Sequence, residues 1–282
     1  MKICRIDERH SLNTSCNSWM QIPNLKDMSE CLLVDEIQDC LPEEIEVFFR
    51  CTKNVCFAGD NRQRIFSAHS VIEDLEKRMK VIELKTHYRI GHEICRVADV
   101  VGKAAGLAPI EDDCNYKDAE AKVHFIQCAD DDEQAARIIE GLKIQLTAYP
   151  EDLLAVAAPR IADREFLRER LEASELSPFV LPHRESGSDD PNQRIYIAHL
   201  YEIKGLEFRT IHLGLMQHLH KLRENQKRIA YTAITRAKTT VSIYFVTIQH
   251  RVCGRVSLHD PRLRHPAPDL LLILRGSSVF PS

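Results

Sequence analysis

Asp35, Glu36, Gln38 and Asp39 stand together as DEIQD, directly behind the apolar residues 31–34. Strand ends in open α/β sheets deliver side chains to a ligand crevice. One carboxylate there can hold Mg²⁺ through water while its neighbour polarises the water that attacks a γ-phosphate. Taken alone, the pentapeptide also fits an acidic helix start that complements the helix dipole. A second apolar run ends in GDNRQRIF, where Gly59 allows a tight turn and Asp60 and Gln63 fall on the loop beyond it. A glutamine in that place can hydrogen-bond a phosphate or the attacking water; Gly-Asp after a strand is otherwise a turn.

Three further segments continue the order: LKTHYRIGHEI at residues 84–94, YEIKGLEF at 201–208 and RIAYTAITRAK at 228–238. With DEIQD and GDNRQRIF as motifs II and III, they resemble motifs IV, V and VI of the UvrD/Rep-type superfamily 1 DNA helicases. The resemblance runs over residues 31–238. It implies that Tyr88 stacks on adenine and that Arg89 and Arg236 reach the γ-phosphate from the second motor domain. It also implies that Gly205 permits close backbone approach to phosphate and that Glu207 accepts a hydrogen bond from the nucleotide sugar. Asp35 becomes the metal carboxylate, Glu36 and Gln63 act on the attacking water, and Asp60 lies on the nucleotide side. ATP and Mg²⁺ are the implied cofactors and single-stranded DNA the implied partner. Two arginines offered across a domain cleft would let phosphate charge close the cleft and hydrolysis reopen it.

The elements that must position these residues alternate. Short apolar runs at LLV, NVCFAGD and VIELK read as strands, and LPEEIEVFFRC, SVIEDLEKRMK and GHEICRVADVVGKAAG have helical spacing, the last closed by Gly106. Beyond residue 120 the pattern continues through strand KVHFIQC, helix DEQAARIIEGLKIQL, strand LLAVAAP, helix DREFLRERLEAS, strands RIYIAHL and TIHLGLM, a helix over about 222–237 and strand TTVSIYFV. The stretch HRESGSDDPNQ reads as a surface loop. The expected fold is α/β, with a RecA-like, P-loop-NTPase-type parallel sheet. Residues 1–90 should form a remnant of one RecA-like motor domain and 91–282 a complete second one with a C-terminal tail, the linker lying near 84–90.

The pattern has departures. A P-loop needs GxxxxGK[ST], whose amides cradle phosphates while its lysine reaches the β- and γ-phosphates, and the 282 residues contain none. Lys103 is followed by Ala104, and Lys204 precedes its glycine. Only 34 residues stand before Asp35, so the expectation is a truncated or split motor that hydrolyses ATP poorly alone, or works with a P-loop-bearing partner. The alternative is a regulatory module without ATPase activity. Before motif V the family usually carries Thr-x-His where this chain has His199, Leu200 and Tyr201, which puts the usual DNA contact in doubt. A separate rival is a metal-dependent nuclease built on Asp190, Glu202 and Lys204.

Composition bounds the rest. A hydrophobic fraction of 44% supports real cores, and a formal net charge of -4 means that any nucleic-acid surface must be local. One such face is expected around Lys221, Arg223, Lys227 and Arg228. No apolar run approaches the ~20 residues of a membrane span and the start carries no secretory signal, so a cytoplasmic protein is expected. The ten cysteines include no CxxC pair and read as reduced, mostly buried thiols rather than bridges or a zinc site.

Overall fold

The computed structural model describes residues 30–64, 70–117, 120–182, 190–221 and 224–246. The chain divides into two compact units between Glu83 and Leu84.

In the first unit, β1 (Leu32–Val34) and β2 (Val55–Phe57) pair in parallel. Between them runs α1 (Pro42–Cys51), and α2 (Val71–Arg78) follows β2. Pro42 sits where a missing N–H costs nothing, and the Glu44 carboxylate accepts from the Leu41 N–H at 2.8 Å, occupying an otherwise orphaned donor. Ser70 caps α2 through its hydroxyl, which accepts from the Glu73 N–H. Ile37, Ile45, Val71 and Leu75 close a small core.

The run VIELK, expected as a strand, is not one. Residues 80–86 have no regular structure, and Val81, Ile82 and Leu84 are exposed. Among the described residues no strand pairs with it, and an apolar run without a ladder partner has no reason to stay extended.

The second unit contains α3 (His92–Ala104), β3 (Lys122–Cys128), α4 (Asp131–Ala148), β4 (Leu154–Ala158), α5 (Ile161–Glu172), β5 (Ile195–His199), β6 (Phe208–Leu213), α6 (Glu224–Ile234) and β7 (Ala237–Val246). Its five strands form one sheet in the order β3-β7-β6-β4-β5, every pair parallel. The α/β class with a parallel sheet is therefore as the sequence led us to expect. All five residues of β4 are wholly buried, which explains its unbroken apolar sequence: a central parallel strand is covered on both faces. On one face Leu154, Val156 and Ala158 meet Ile138, Leu142, Leu167 and Leu171 from α4 and α5. Each fully buried leucine or isoleucine there contributes about 1.5–3 kcal/mol.

Two chain turns bear on the site. Gly106 takes φ +69 after α3, with Leu107 N–H donating to the Gly102 carbonyl at 2.9 Å, the bond that ends a helix in a left-handed turn. β6 starts two residues earlier than expected and ends at Leu213, short of the expected end at Met216; Leu215, at φ 54, turns the chain away. α6 is likewise shorter than expected, at Glu224–Ile234. Most of HRESGSDDPNQ and all of the tail from residue 253 lie outside the described residues.

Candidate functional site

In the first unit the acidic motif lies at the end of β1. Glu36 sits in the left-handed region at φ 56, ψ 35, a conformation a non-glycine residue rarely takes. Asp35 is exposed and its Oδ1 accepts from the Glu36 N–H at 2.8 Å. The fully buried Gln38 ties the motif to the end of β2: its Nε2 donates to the Glu36 carboxylate, and its Oε1 accepts from the Asp60 N–H at 3.0 Å. Gly59 is required at this crossing, because a Cβ would meet Gln38 Oε1 and Ile37 Cγ1 at 2.7 Å each. Asp60 accepts from the Arg62 N–H at 2.9 Å and from its Nε at 3.0 Å, and from Gln63 Nε2 at 3.3 Å. Asp35, Glu36, Asp60 and Gln63 are thus brought onto two adjoining strand ends. Asp60 and Gln63 are engaged with each other there, as a turn requires. Asp35 and Glu36 offer oxygen donors only, which suits a hard cation such as Mg²⁺.

In the second unit an open cleft of about 410 Å³ is lined by Tyr88, Arg89, Tyr116, Glu207, Arg209 and Lys238. β6–β7 pairing builds it. Phe208 is in register with Ala237, and its N–H donates to the Arg236 carbonyl at 3.1 Å, which brings the chain around Glu207 beside the start of β7. Lys238 Nζ stands 3.1 Å from one Glu207 oxygen, while Arg89 Nη1 donates to the other at 2.5 Å. Burial works to raise the Glu207 pKa, but the Lys238 hydrogen bond and the Arg89 charge outweigh it and hold the carboxyl below its usual range. Tyr88 leaves most of its ring in solvent, 64% exposed.

Arg236 stands at the α6–β7 junction with only 5% of its surface exposed, and it is not among the cleft-lining residues. Gly205 takes φ +78, and nothing lies within 4 Å of where a Cβ would stand, so its backbone is approachable. His199 and Tyr201 stack at 5.1 Å with Leu200 buried between them in sequence. His199 Nδ1 accepts from the Tyr201 N–H, which leaves Nε2–H to donate to the Pro159 carbonyl. Burial, against that bond, lowers the His199 pKa.

Two carboxylates of the nuclease trio have other partners. Glu202 accepts two bonds from Arg164 at 2.7 and 2.9 Å and one from the His199 N–H, while Asp190 accepts from Asn192 in its own turn. Lys227 and Arg228 reach the Ala104 and Ala105 carbonyls at the end of α3 at 3.4 and 3.5 Å, so both serve that helix terminus. Arg223 and the side chain of Lys221 lie outside the described residues. Of the described cysteines only Cys95 and Cys128 are buried, so "mostly buried" does not hold. Among the described residues no helix is long and apolar enough to cross a membrane.

Sequence reasoning singled out neither Lys238 nor Tyr116 as a cleft residue, nor Gln38 as a tie between strands. Lys238 closes the segment RIAYTAITRAK, but nothing in its spacing sets it beside Glu207. Tyr116 follows an irregular loop and carries no such signal.

No protein-family model matches this sequence, and no curated protein does. Among solved structures, the C-terminal domain of a possible DNA helicase from Lactobacillus plantarum WCFS1 is similar at 17% identity with a TM-score of 0.41, over 57% of this chain and 88% of that one. The PRRSV helicase is similar at 17% identity with a TM-score of 0.40, over 77% of this chain and 35% of that one. This chain therefore spans about a third of the viral protein's length.

Proposed function

We propose that the chain is part of an ATP-driven, UvrD/Rep-like helicase motor acting on single-stranded DNA, and that it does not hydrolyse ATP efficiently by itself. The observation that supports this most is the second-unit cleft. Tyr88, Arg89, Glu207 and Lys238 come from three segments far apart in sequence, and they put an exposed aromatic face, two cations and one acceptor around a single space. That set suits a base, a phosphate and a sugar hydroxyl.

Asp35 would hold Mg²⁺, which supplies charge neutralisation on the β- and γ-phosphates when bound. Glu36 and Gln63 would orient water, and Arg89 and Arg236 would stabilise charge on the transferred phosphoryl group. Phosphoryl transfer depends mainly on positioning and charge stabilisation. Without GxxxxGK[ST] in these 282 residues, several powers of ten in rate should be missing, and the phosphate cradle has to come from another polypeptide segment. Binding of single strands by this chain alone should be weak and steeply salt-dependent.

The test is steady-state ATP hydrolysis by the purified chain with single-stranded DNA, beside Glu36→Gln. No turnover by either, but activity restored by a P-loop-bearing segment and lost again in Arg89→Ala, is expected. Turnover of several ATP per second by the chain alone, abolished in Glu36→Gln, would overturn the claim of dependence.

A further inference from the structure

We infer that His87, Cys95 and Cys114 form a binding site for a thiophilic divalent cation of the Zn²⁺ type, which staples the segment carrying Tyr88 and Arg89 to the segment carrying Tyr116. One ligand atom from each of the three lies within 4.8 Å of the others. Cys95 is wholly buried in the first turns of α3, and His87 and Cys114 are half-buried. Both thiols donate to one carbonyl, that of Ile90, at 3.6 Å from Cys95 and 3.1 Å from Cys114. Nothing in the composition of a helicase-like cleft asks for two thiols and an imidazole beneath it.

The backbone around the trio is fixed independently of any ion. His87 N–H donates to the Asp113 carbonyl at 3.1 Å and Asn115 N–H to the His87 carbonyl at 2.9 Å, a parallel bridge between His87 and Cys114. The Asp99 carboxylate accepts from the Ile110 and Glu111 N–H groups at 2.8 and 3.0 Å, pinning the turn that presents Cys114. His87 Nε2 faces the thiols, 3.8 Å from Cys95 Sγ, and also lies 2.8 Å from the Ile110 carbonyl, while Nδ1 is buried with no hydrogen-bond partner.

Two sulfurs and one imidazole nitrogen select a soft or borderline cation over Mg²⁺ or Ca²⁺. With Zn–S of about 2.3 Å and Zn–N of about 2.0–2.1 Å, tetrahedral ligand edges run to roughly 3.5–3.8 Å, so the trio has to contract by about 1 Å at most. Burial, and then the neighbouring Cys114, push the Cys95 thiol well above the ordinary thiol range. Each thiol keeps its hydrogen for the Ile90 carbonyl while the site is empty. Binding replaces two S–H bonds by two metal–thiolate bonds and releases two protons to solvent, with no change of oxidation state. The fourth tetrahedral position is left to water.

Cobalt titration of the full chain tests this, followed by displacement with Zn²⁺. One equivalent of Co²⁺ should give a thiolate-to-metal charge-transfer band and tetrahedral ligand-field absorption, both erased by Zn²⁺. Losing a group that merely orients a ligand costs 10–100-fold in affinity, so Cys114→Ser or His87→Gln should weaken binding by at least about 100-fold. Cys128→Ser, a buried thiol in β3, should leave it unchanged. Cys114 is half-buried, so its serine variant should fold, and circular dichroism checks that it does. Absence of the charge-transfer band in the reduced parent, or its persistence in both Cys114→Ser and His87→Gln, overturns the site.

Discussion

Arg89 and Glu207 share a hydrogen bond of 2.5 Å although 118 residues separate them in sequence. The carboxylate is shared with Lys238, so one acid pairs with two cations at the edge of the cleft and leaves one positive charge in excess. An arginine held this way is pre-placed but occupied. A phosphate that engages it must compete with Glu207.

Glu207→Gln should therefore tighten binding of tripolyphosphate several-fold at low salt, because the cleft loses one negative charge, and the gain should shrink as salt is added. ATP should gain less than tripolyphosphate, since the proposed acceptor for the sugar is weakened by the same change. Arg89→Ala should weaken both ligands. Calorimetric titrations at two ionic strengths decide it: unchanged affinities in both variants would remove the cleft from nucleotide binding.

Gly59→Ala should destabilise the first unit by about 1–3 kcal/mol, the range for forcing atoms into a packed place. The new Cβ meets Gln38 Oε1 and Ile37 Cγ1 at 2.7 Å. Gln38→Leu should cost a similar ~1–3 kcal/mol for another reason, because it strips the Asp60 N–H of its buried acceptor. Urea unfolding should show the double variant losing less than the sum of the two, as both act on one contact. Strict additivity would mean that Gln38 does not join the two strand ends.

Much of this was legible because apolar runs and their boundaries coincide where both faces of a strand are covered. KVHFIQC is β3 residue for residue, and LLAVAA contains β4. VIELK fails for the converse reason: its composition is that of a strand, but no described neighbour pairs with it. The ends of β6 were hidden too, since Phe208 is set by its bond to the Arg236 carbonyl, and the register shift between Phe208 and Thr210 has no sequence signature. Arg89 and Glu207 were chosen by motif and do meet. His87, Cys95 and Cys114 were passed over because their spacing matches no metal motif; only the return of the loop after α3 brings them together.

Lys227→Ala combined with Arg228→Ala should lower stability by about 0.3–1 kcal/mol per lost cation, the usual scale for a positive charge at a helix C-terminus. Both side chains reach the carbonyls that end α3. Thermal denaturation at low and high salt is the measurement. A loss confined to low salt fits charge on the helix end, whereas an unchanged midpoint at both salts would leave these residues only a surface role.

His212 is buried in β6 between Tyr244, whose hydroxyl lies 2.8 Å from Nδ1, and Gln145, whose Oε1 lies 2.8 Å from Nε2. Gln145 Oε1 can only accept, so Nε2 carries the proton and Nδ1 accepts from the tyrosine. Both ring nitrogens are then satisfied by the neutral ring. Burial, with a smaller contribution from His124, drives the His212 pKa down to about 3. An unfolded chain takes up this proton near the ordinary value of about 6.5. Between those two values the unfolded state binds more protons than the folded one, so stability is full above pH ~6.5 and falls as the pH drops towards ~3. The slope from this one group approaches ~1.4 kcal/mol per pH unit. Urea unfolding of the full chain at pH 7, 6, 5 and 4 should show that decline in the second unit. His212→Gln cannot take up the proton, so it should start lower at pH 7 for its poorer hydrogen bonds but decline less steeply. Parallel slopes for parent and variant would show that the acid sensitivity lies elsewhere.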